Sequence, residues 1–144
     1  MSKKTKSWRE RLKTDRSPET KLLSSPFAGM QAGTLMLVST PREINEWVGN
    51  IPFGQIRTVD DMKYELAQRH SAEAACPAST AIFLRVVADA AWEDLQNGAQ
   101  LEDVTPFWRI TEPESKIAKK LSCDPEFIRI ERKREQRTSN SDVD

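Results

Sequence analysis

The chain predicts a mostly α-helical domain with a small β component, held between charged tails, and three observations predict it. Apolar residues at helical spacing recur between residues 40 and 96, with helix starts signalled at Thr40-Pro41, Thr58 and Pro77 and stops at Asn50-Pro52 and Asn97-Gly98. Short aliphatic runs of strand character stand beside these stripes. The apolar fraction is only 38%, and the shortfall lies at the ends, which are rich in Lys, Arg, Glu and Ser. The folded part is therefore expected over residues 34–112, between a basic, mostly disordered arm at 1–33 and a helical extension at 113–136. Residues 137–144 are expected to be a disordered tail.

Trp8 and Leu12 fall on one face of a short helix within that arm. Thr34 to Ser39 reads as the strand that enters the fold. Thr40 can then cap a helix, Pro41 suits its first position, and Glu43 supplies the reciprocal carboxylate of a capping box. Ile44, Trp47, Val48 and Ile51 follow as one apolar stripe. Asn50 and Pro52 close it, Phe53-Gly54 turns, and Gln55-Ile56-Arg57 reads as a short strand. Thr58 caps the next helix, which runs to about His70 with Met62 and Leu66 inward. Asp60 and Asp61 in its first turn suit the positive end of the helix dipole.

Residues 71–75 connect to the longest helix, Pro77 to Gln96, stopped by Asn97-Gly98. Its buried side is expected to carry Ile82, Phe83, Val86, Val87, Ala90 and Leu95. Residues 103–111 read as a loop and strand. A helix, a short strand, two helices joined by a turn and a final strand together match a winged helix-turn-helix. Beyond it, residues 115–121 and 124–136 each look helical, the second with Asp124 as cap and Pro125 at the first position.

Net charge is zero, but its distribution is not uniform. Residues 1–22 carry eight Lys/Arg against three Asp/Glu, residues 23–104 five against eleven, and residues 105–144 nine against eight. A duplex-binding domain ordinarily shows a basic footprint, so phosphate affinity is expected from the N-terminal arm. No run approaches the ~18 apolar residues of a membrane span. Cys76 and Cys123 lack metal-ligand spacing, which suits reduced thiols, a cytoplasmic location and no metal or small-molecule cofactor.

Two segments carry a more specific signal: Ile51-Pro52-Phe53-Gly54-Gln55-Ile56-Arg57-Thr58, and Thr105-Pro106-Phe107-Trp108-Arg109-Ile110. In order and separation they resemble the DNA-binding domain of the methylated-DNA–cysteine methyltransferases. In that family the first segment reads Ile-Pro-X-Gly-X-Val-X-Thr and the second Pro-Cys-His-Arg-Val. Phe107 stands where the family has its nucleophilic cysteine and Trp108 where it has the activating histidine. A phenyl ring cannot accept an alkyl group and an indole cannot act as the base. The resemblance therefore implies the alkyltransferase-like type, whose members bind alkylated DNA without repairing it.

On that comparison Val59 takes the place of the family's Tyr, and Val59, Phe107, Trp108 and Arg109 become candidates for a flipped-base pocket. A Pro-Phe-Trp run is, however, more often core or a local aromatic cluster than a binding pocket. The family's arginine finger aligns at Ala81, with Arg85 a turn later. Ser79, Thr80, Arg85 and Arg57 are the candidate DNA contacts. Cys76, just before the longest helix, is the one candidate for a displaced alkyl acceptor, against a plain structural role. His70, the only histidine, reads as a solvent-facing residue at a helix end.

The implied function is thus non-catalytic binding of double-stranded DNA by a monomer that recognises alkylated or damaged bases without repairing them and takes part in DNA repair. The acidic middle of the chain keeps open a protein-interaction module on the same scaffold. An alkyl-accepting methyltransferase using Cys76 is the third reading.

Overall fold

The computed structural model describes residues 8–12 and 16–141. Most of these residues are helical, and a small three-stranded sheet accompanies the helices. Among the described residues no helix is long and apolar enough to cross a membrane.

The sheet has the order β1 (Glu19–Leu22), β2 (Leu35–Val38), β3 (Ala74–Ala75). Central β2 pairs antiparallel with β1 and parallel with β3, in the register Met36↔Ala74 and Leu37↔Ala75. A parallel pair needs a long crossover, and the chain supplies it with α2 (Pro41–Gly49) and α3 (Val59–Arg69). β1 corrects the expectation of a disordered arm over residues 1–33. Its exposed, polar sequence hides the strand, because what holds it is backbone pairing to Leu35–Val38. The connection tightens at Phe27–Met30, whose backbones exchange hydrogen bonds of 2.8 and 2.9 Å. Ala28 (φ 50°) and Gly29 (φ 83°) both take left-handed conformations there, the requirement of a two-residue turn that matches strand twist.

Local capping signals are realised with one change. At α3 the capping box is complete: Thr58 accepts from the Asp61 N–H, and the Asp61 carboxylate accepts from the Thr58 N–H. At α2 only half of the expected box forms. Thr40 accepts from the Glu43 N–H, but the buried Glu43 carboxylate turns to the Ser39 hydroxyl and to His70 Nε2, each at 2.6 Å. His70 is therefore half-buried and bonded, not a free solvent-facing residue.

The helix α4 (Pro77–Gln96) is central, since it contributes to two core clusters. Leu84 and Val87 join Leu37, Ile44, Val48, Met62 and Leu66 in the first. Ala88 and Ala91 join Phe107, Trp108 and Ile128 in the second. Each fully buried aliphatic of this kind contributes about 1.5–3 kcal/mol. Short α1 (Trp8–Leu12) packs on α4 and α2, with Leu12 against the first cluster.

Several sequence expectations change here. Neither Gln55–Arg57 nor residues 103–111 forms a strand; residues 101–111 hold two 3-10 turns instead, Leu101–Asp103 and Phe107–Arg109. A single backbone bond, Arg57 N–H to Arg109 C=O at 2.9 Å, joins the two regions instead of a ladder. The boundary expected at residue 112 falls inside the packed core. The second cluster is completed by Ala118 of α5 (Lys116–Lys120) and Ile128 of α6 (Pro125–Ser141). The helix α6 also continues to Ser141, past the point where a disordered tail was expected.

Candidate nucleic-acid interface

The two motif segments meet in space, joined by a carboxylate that neither of them contains. Glu135 of α6 is buried and accepts from Gly54 N–H (3.0 Å), Trp108 Nε1 (2.6 Å) and Arg109 Nε (2.9 Å). Arg109 Nη1 also donates to the Ile51 carbonyl at 2.7 Å. Arg132, one turn earlier on α6, donates to the carbonyls of Trp108 and Thr111. The segments at 51–58 and 106–110 are thus fixed to each other and to α6 by hydrogen bonds from buried or half-buried groups.

That arrangement decides the fate of the base-pocket candidates. Phe107 is 0% exposed and Trp108 1%, packed edge-on at 5.5 Å, with Phe127 stacked on Phe107 at 5.9 Å. Both rings build the second core cluster and line no opening. Arg109 is held by Glu135 and Ile51 in a structural role. Val59 borders a recess of about 160 Å3 shared with Asp60, Ile110, Thr111, Glu112 and Ile117, while Arg109 borders a separate cleft. The Thr111 hydroxyl is buried there without a hydrogen-bond partner.

The expected groove contacts also divide. Thr80 is buried, and its hydroxyl donates to the Cys76 carbonyl at 2.7 Å, so it is turned away from any groove. Ser79 is half-buried and donates to Cys76 Sγ at 3.3 Å. Arg57 is paired with Asp61 and Glu65 and lies over the Trp47 ring, in an acidic setting away from the α4 cleft. Arg85 remains outward, its Nε 3.6 Å from Asp89 Oδ2.

Around Arg85 lies what sequence spacing did not reveal. A cleft of about 270 Å3 on the outer side of α4 is lined by Ala81, Ile82, Arg85, Lys116, Ile117 and Lys120. Among the described residues, those that line it include three cations and no carboxylate. Lys116 and Lys120 are brought there by α5, which docks through Ala118 and so presents its i and i+4 lysines on the other side. Ile117 borders both this cleft and the Val59 recess, which makes the two neighbours. Of the acidic residues of 23–104, Glu102 and Asp103 line a separate cleft beside Gly49 and Arg109, Asp60 borders the Val59 recess, and Asp89 lies 3.6 Å from Arg85.

Behind the cleft, Asp89 is buried, with Oδ1 accepting from the Ser122 N–H at 2.8 Å and Oδ2 lacking a hydrogen bond. Burial pushes its carboxyl above the usual range, against the opposing pull of Ser122 and Arg85.

Neither thiol is placed for chemistry. Cys76 is 4% exposed and takes a hydrogen bond from Ser79, while His70 is bonded to Glu43. Burial, and then the charge of Asp89, push the Cys123 thiol up to about 11, so it is protonated at neutral pH. Among the described residues no group of His, Cys, Asp and Glu could hold a metal ion. Comparison with protein-family models, with curated proteins and with solved structures returns no match to this chain.

Proposed function

We propose that this chain is a non-catalytic DNA-binding protein on a winged-helix scaffold, of the alkyltransferase-like type, which presents the outer face of α4 to the duplex. The observation that carries this reading is the cleft with Arg85, Lys116 and Lys120 at its edges and, among the described residues, no carboxylate in its lining. Cations grouped where α4 and α5 meet provide the local positive footprint that phosphate binding needs, whatever the net charge of the chain. The meeting of the two alkyltransferase-like segments through Glu135, Arg57 and Arg109 supports the scaffold. In this reading α3 and α4 form the helix pair, and residues 101–111, built from turns, take the position of the wing. The Val59 recess, reached past Ile117, is where an altered base would lodge.

Alkyl transfer through Cys76 fits poorly, because the thiol is buried and the only histidine is bonded to Glu43. A protein-interaction module keeps one specific support. Phe53 is 45% exposed, with the guanidinium groups of Arg109 and Arg134 within 6 Å of its ring, and Ile56 is exposed in the same loop.

The reading is tested by titrating plain and alkylated duplexes, at low and moderate salt, into the chain and into Arg85→Glu. Tighter binding of the alkylated duplex, weakened by the substitution, supports it. A protein that shifts neither duplex at low salt rejects it in favour of the interaction module.

A further inference from the structure

β1 is an edge strand: the order β1-β2-β3 gives it one neighbour, and all its residues, Glu19 to Leu22, are exposed. The direction of its remaining backbone groups follows from the ladder on the far side of β2. The carbonyls of Leu35 and Leu37 accept from the N–H groups of Glu73 and Cys76, so these two residues of β2 face β3. Successive residues of a strand turn their N–H and C=O groups to opposite sides, so Met36 and Val38 face β1. Their partners in register are Lys21 and Glu19. Thr20 and Leu22 therefore direct their N–H and C=O groups outward, away from β2.

Such an edge is a template for a further strand, and charged side chains ordinarily deter one. Here the charges single out a partner instead. An added antiparallel strand must bring its own outward-facing residues opposite Thr20 and Leu22, which restricts how a second β1 can align. Thr20 opposite Leu22 would set Lys21 against Lys21, and Thr20 opposite Pro18 would set Glu19 against Glu19, like charges directly across the seam. Leu22 opposite Leu22 leaves both charges unmatched. With Thr20 opposite Thr20, Glu19 of each copy meets Lys21 of the other. That register also lays Leu22, 71% exposed, against the half-buried Pro18 of the other copy.

We propose that the chain forms a two-fold dimer, in place of the monomer that the sequence implied, by antiparallel pairing of β1 with β1 centred on Thr20. The two Thr20 residues exchange N–H to C=O hydrogen bonds, and each Leu22 N–H donates to the Pro18 carbonyl across the seam, where the missing N–H of proline costs nothing. The contact is self-complementary, as a two-fold axis requires, and joins the sheets in the order β3-β2-β1-β1-β2-β3. An interface of this length belongs to the weak class, below about 1,200 Å2 of buried area, so association depends on concentration. The inference does not depend on DNA binding, since Arg85, Lys116 and Lys120 lie on α4 and α5.

Sedimentation velocity of the full chain, from micromolar to millimolar concentration, tests the proposal, with amide hydrogen exchange as the local readout. A monomer–dimer equilibrium is expected, with the Thr20 and Leu22 amides gaining protection as concentration rises. Glu19→Lys and Lys21→Glu should each weaken self-association about tenfold by setting like charges opposite one another. An equimolar mixture of the two variants should form a heterodimer with the affinity of the unaltered chain, because every cross-strand pair is again of opposite charge. A chain that is monomeric at every concentration leaves the edge to a strand of another protein and overturns the proposal. So does a dimer indifferent to both single substitutions, or a mixture of the two variants that fails to pair.

Discussion

The indole N–H of Trp108 donates to Glu135 Oε2 at 2.6 Å, across 27 residues of sequence, in the interior of the protein. Arg109 and the Gly54 N–H share the same carboxylate. One side chain of the last helix thereby sets the relative position of both segments that resemble the alkyltransferase domain.

Glu135→Ala is expected to cost about 3–5 kcal/mol in denaturant unfolding, because it leaves the Arg109 guanidinium and the Trp108 N–H without their partner. Arg134→Ala, at a side chain 42% exposed, should cost no more than about 1 kcal/mol. Equal effects of the two substitutions would contradict this account of Glu135.

The same carboxylate sets an acid limb. Burial would raise the Glu135 carboxyl, but donation from Arg109, Trp108 and Gly54 outweighs burial and holds it below the ordinary carboxylate range. A group depressed on folding stabilises the protein above its unfolded pKa, about 4.3 for Glu. That stabilisation is lost as pH falls through the lower folded value. Thermal midpoints measured from neutral pH downward should drop below about pH 4, and Glu135→Gln should flatten that drop.

Asp89 runs the opposite way. Its carboxyl is raised by burial, so its effect on stability is unfavourable at neutral pH and fades as pH falls below the folded value towards the unfolded one, about 3.9. Asp89→Asn keeps an acceptor for the Ser122 N–H. It should leave the melting temperature unchanged or higher at pH 7, with the gain shrinking in acid. A lower melting temperature at pH 7 would show that the pairing with Arg85 outweighs the cost of burial.

Phe107→Cys restores the residue type of the resembled family without restoring the reaction. The position is enclosed by Trp108 and Phe127, and Trp108 occupies the place of the family's histidine. Intact mass after incubation with alkylated duplex should not increase. Loss of the phenyl ring should also cost up to about 3–5 kcal/mol, as for other large-to-small core changes. A transferred alkyl group would show that the site opens to solvent.

What the sequence disclosed was mainly local. Thr58 with Asp61, Thr40 with Pro41, and Pro77 with Asn97 bound their helices because capping acts over a few residues. Thr58→Ala should accordingly cost about 1 kcal/mol, read from the urea midpoint. What escaped depends on distance. β1 is held by the backbone of β2, and Glu135 meets Gly54 across 81 residues. A strand was expected at Gln55–Arg57 and a loop and strand at 103–111, but those residues turn to side-chain partners and the core. Of the site, Arg85 was legible as an outward residue of the longest helix. Lys116 and Lys120 were not, because their place beside α4 follows from how α5 docks.

The salt dependence of duplex binding, measured by fluorescence anisotropy for the chain and for Lys116→Glu combined with Lys120→Glu, tests the α4 interface most directly. The account predicts steep loss of affinity with salt, and a slope of log affinity against log salt reduced by about two in the double variant, roughly one for each phosphate contact removed. Equal affinity and slope for the two proteins, or no binding by the unaltered chain at low salt, would contradict it.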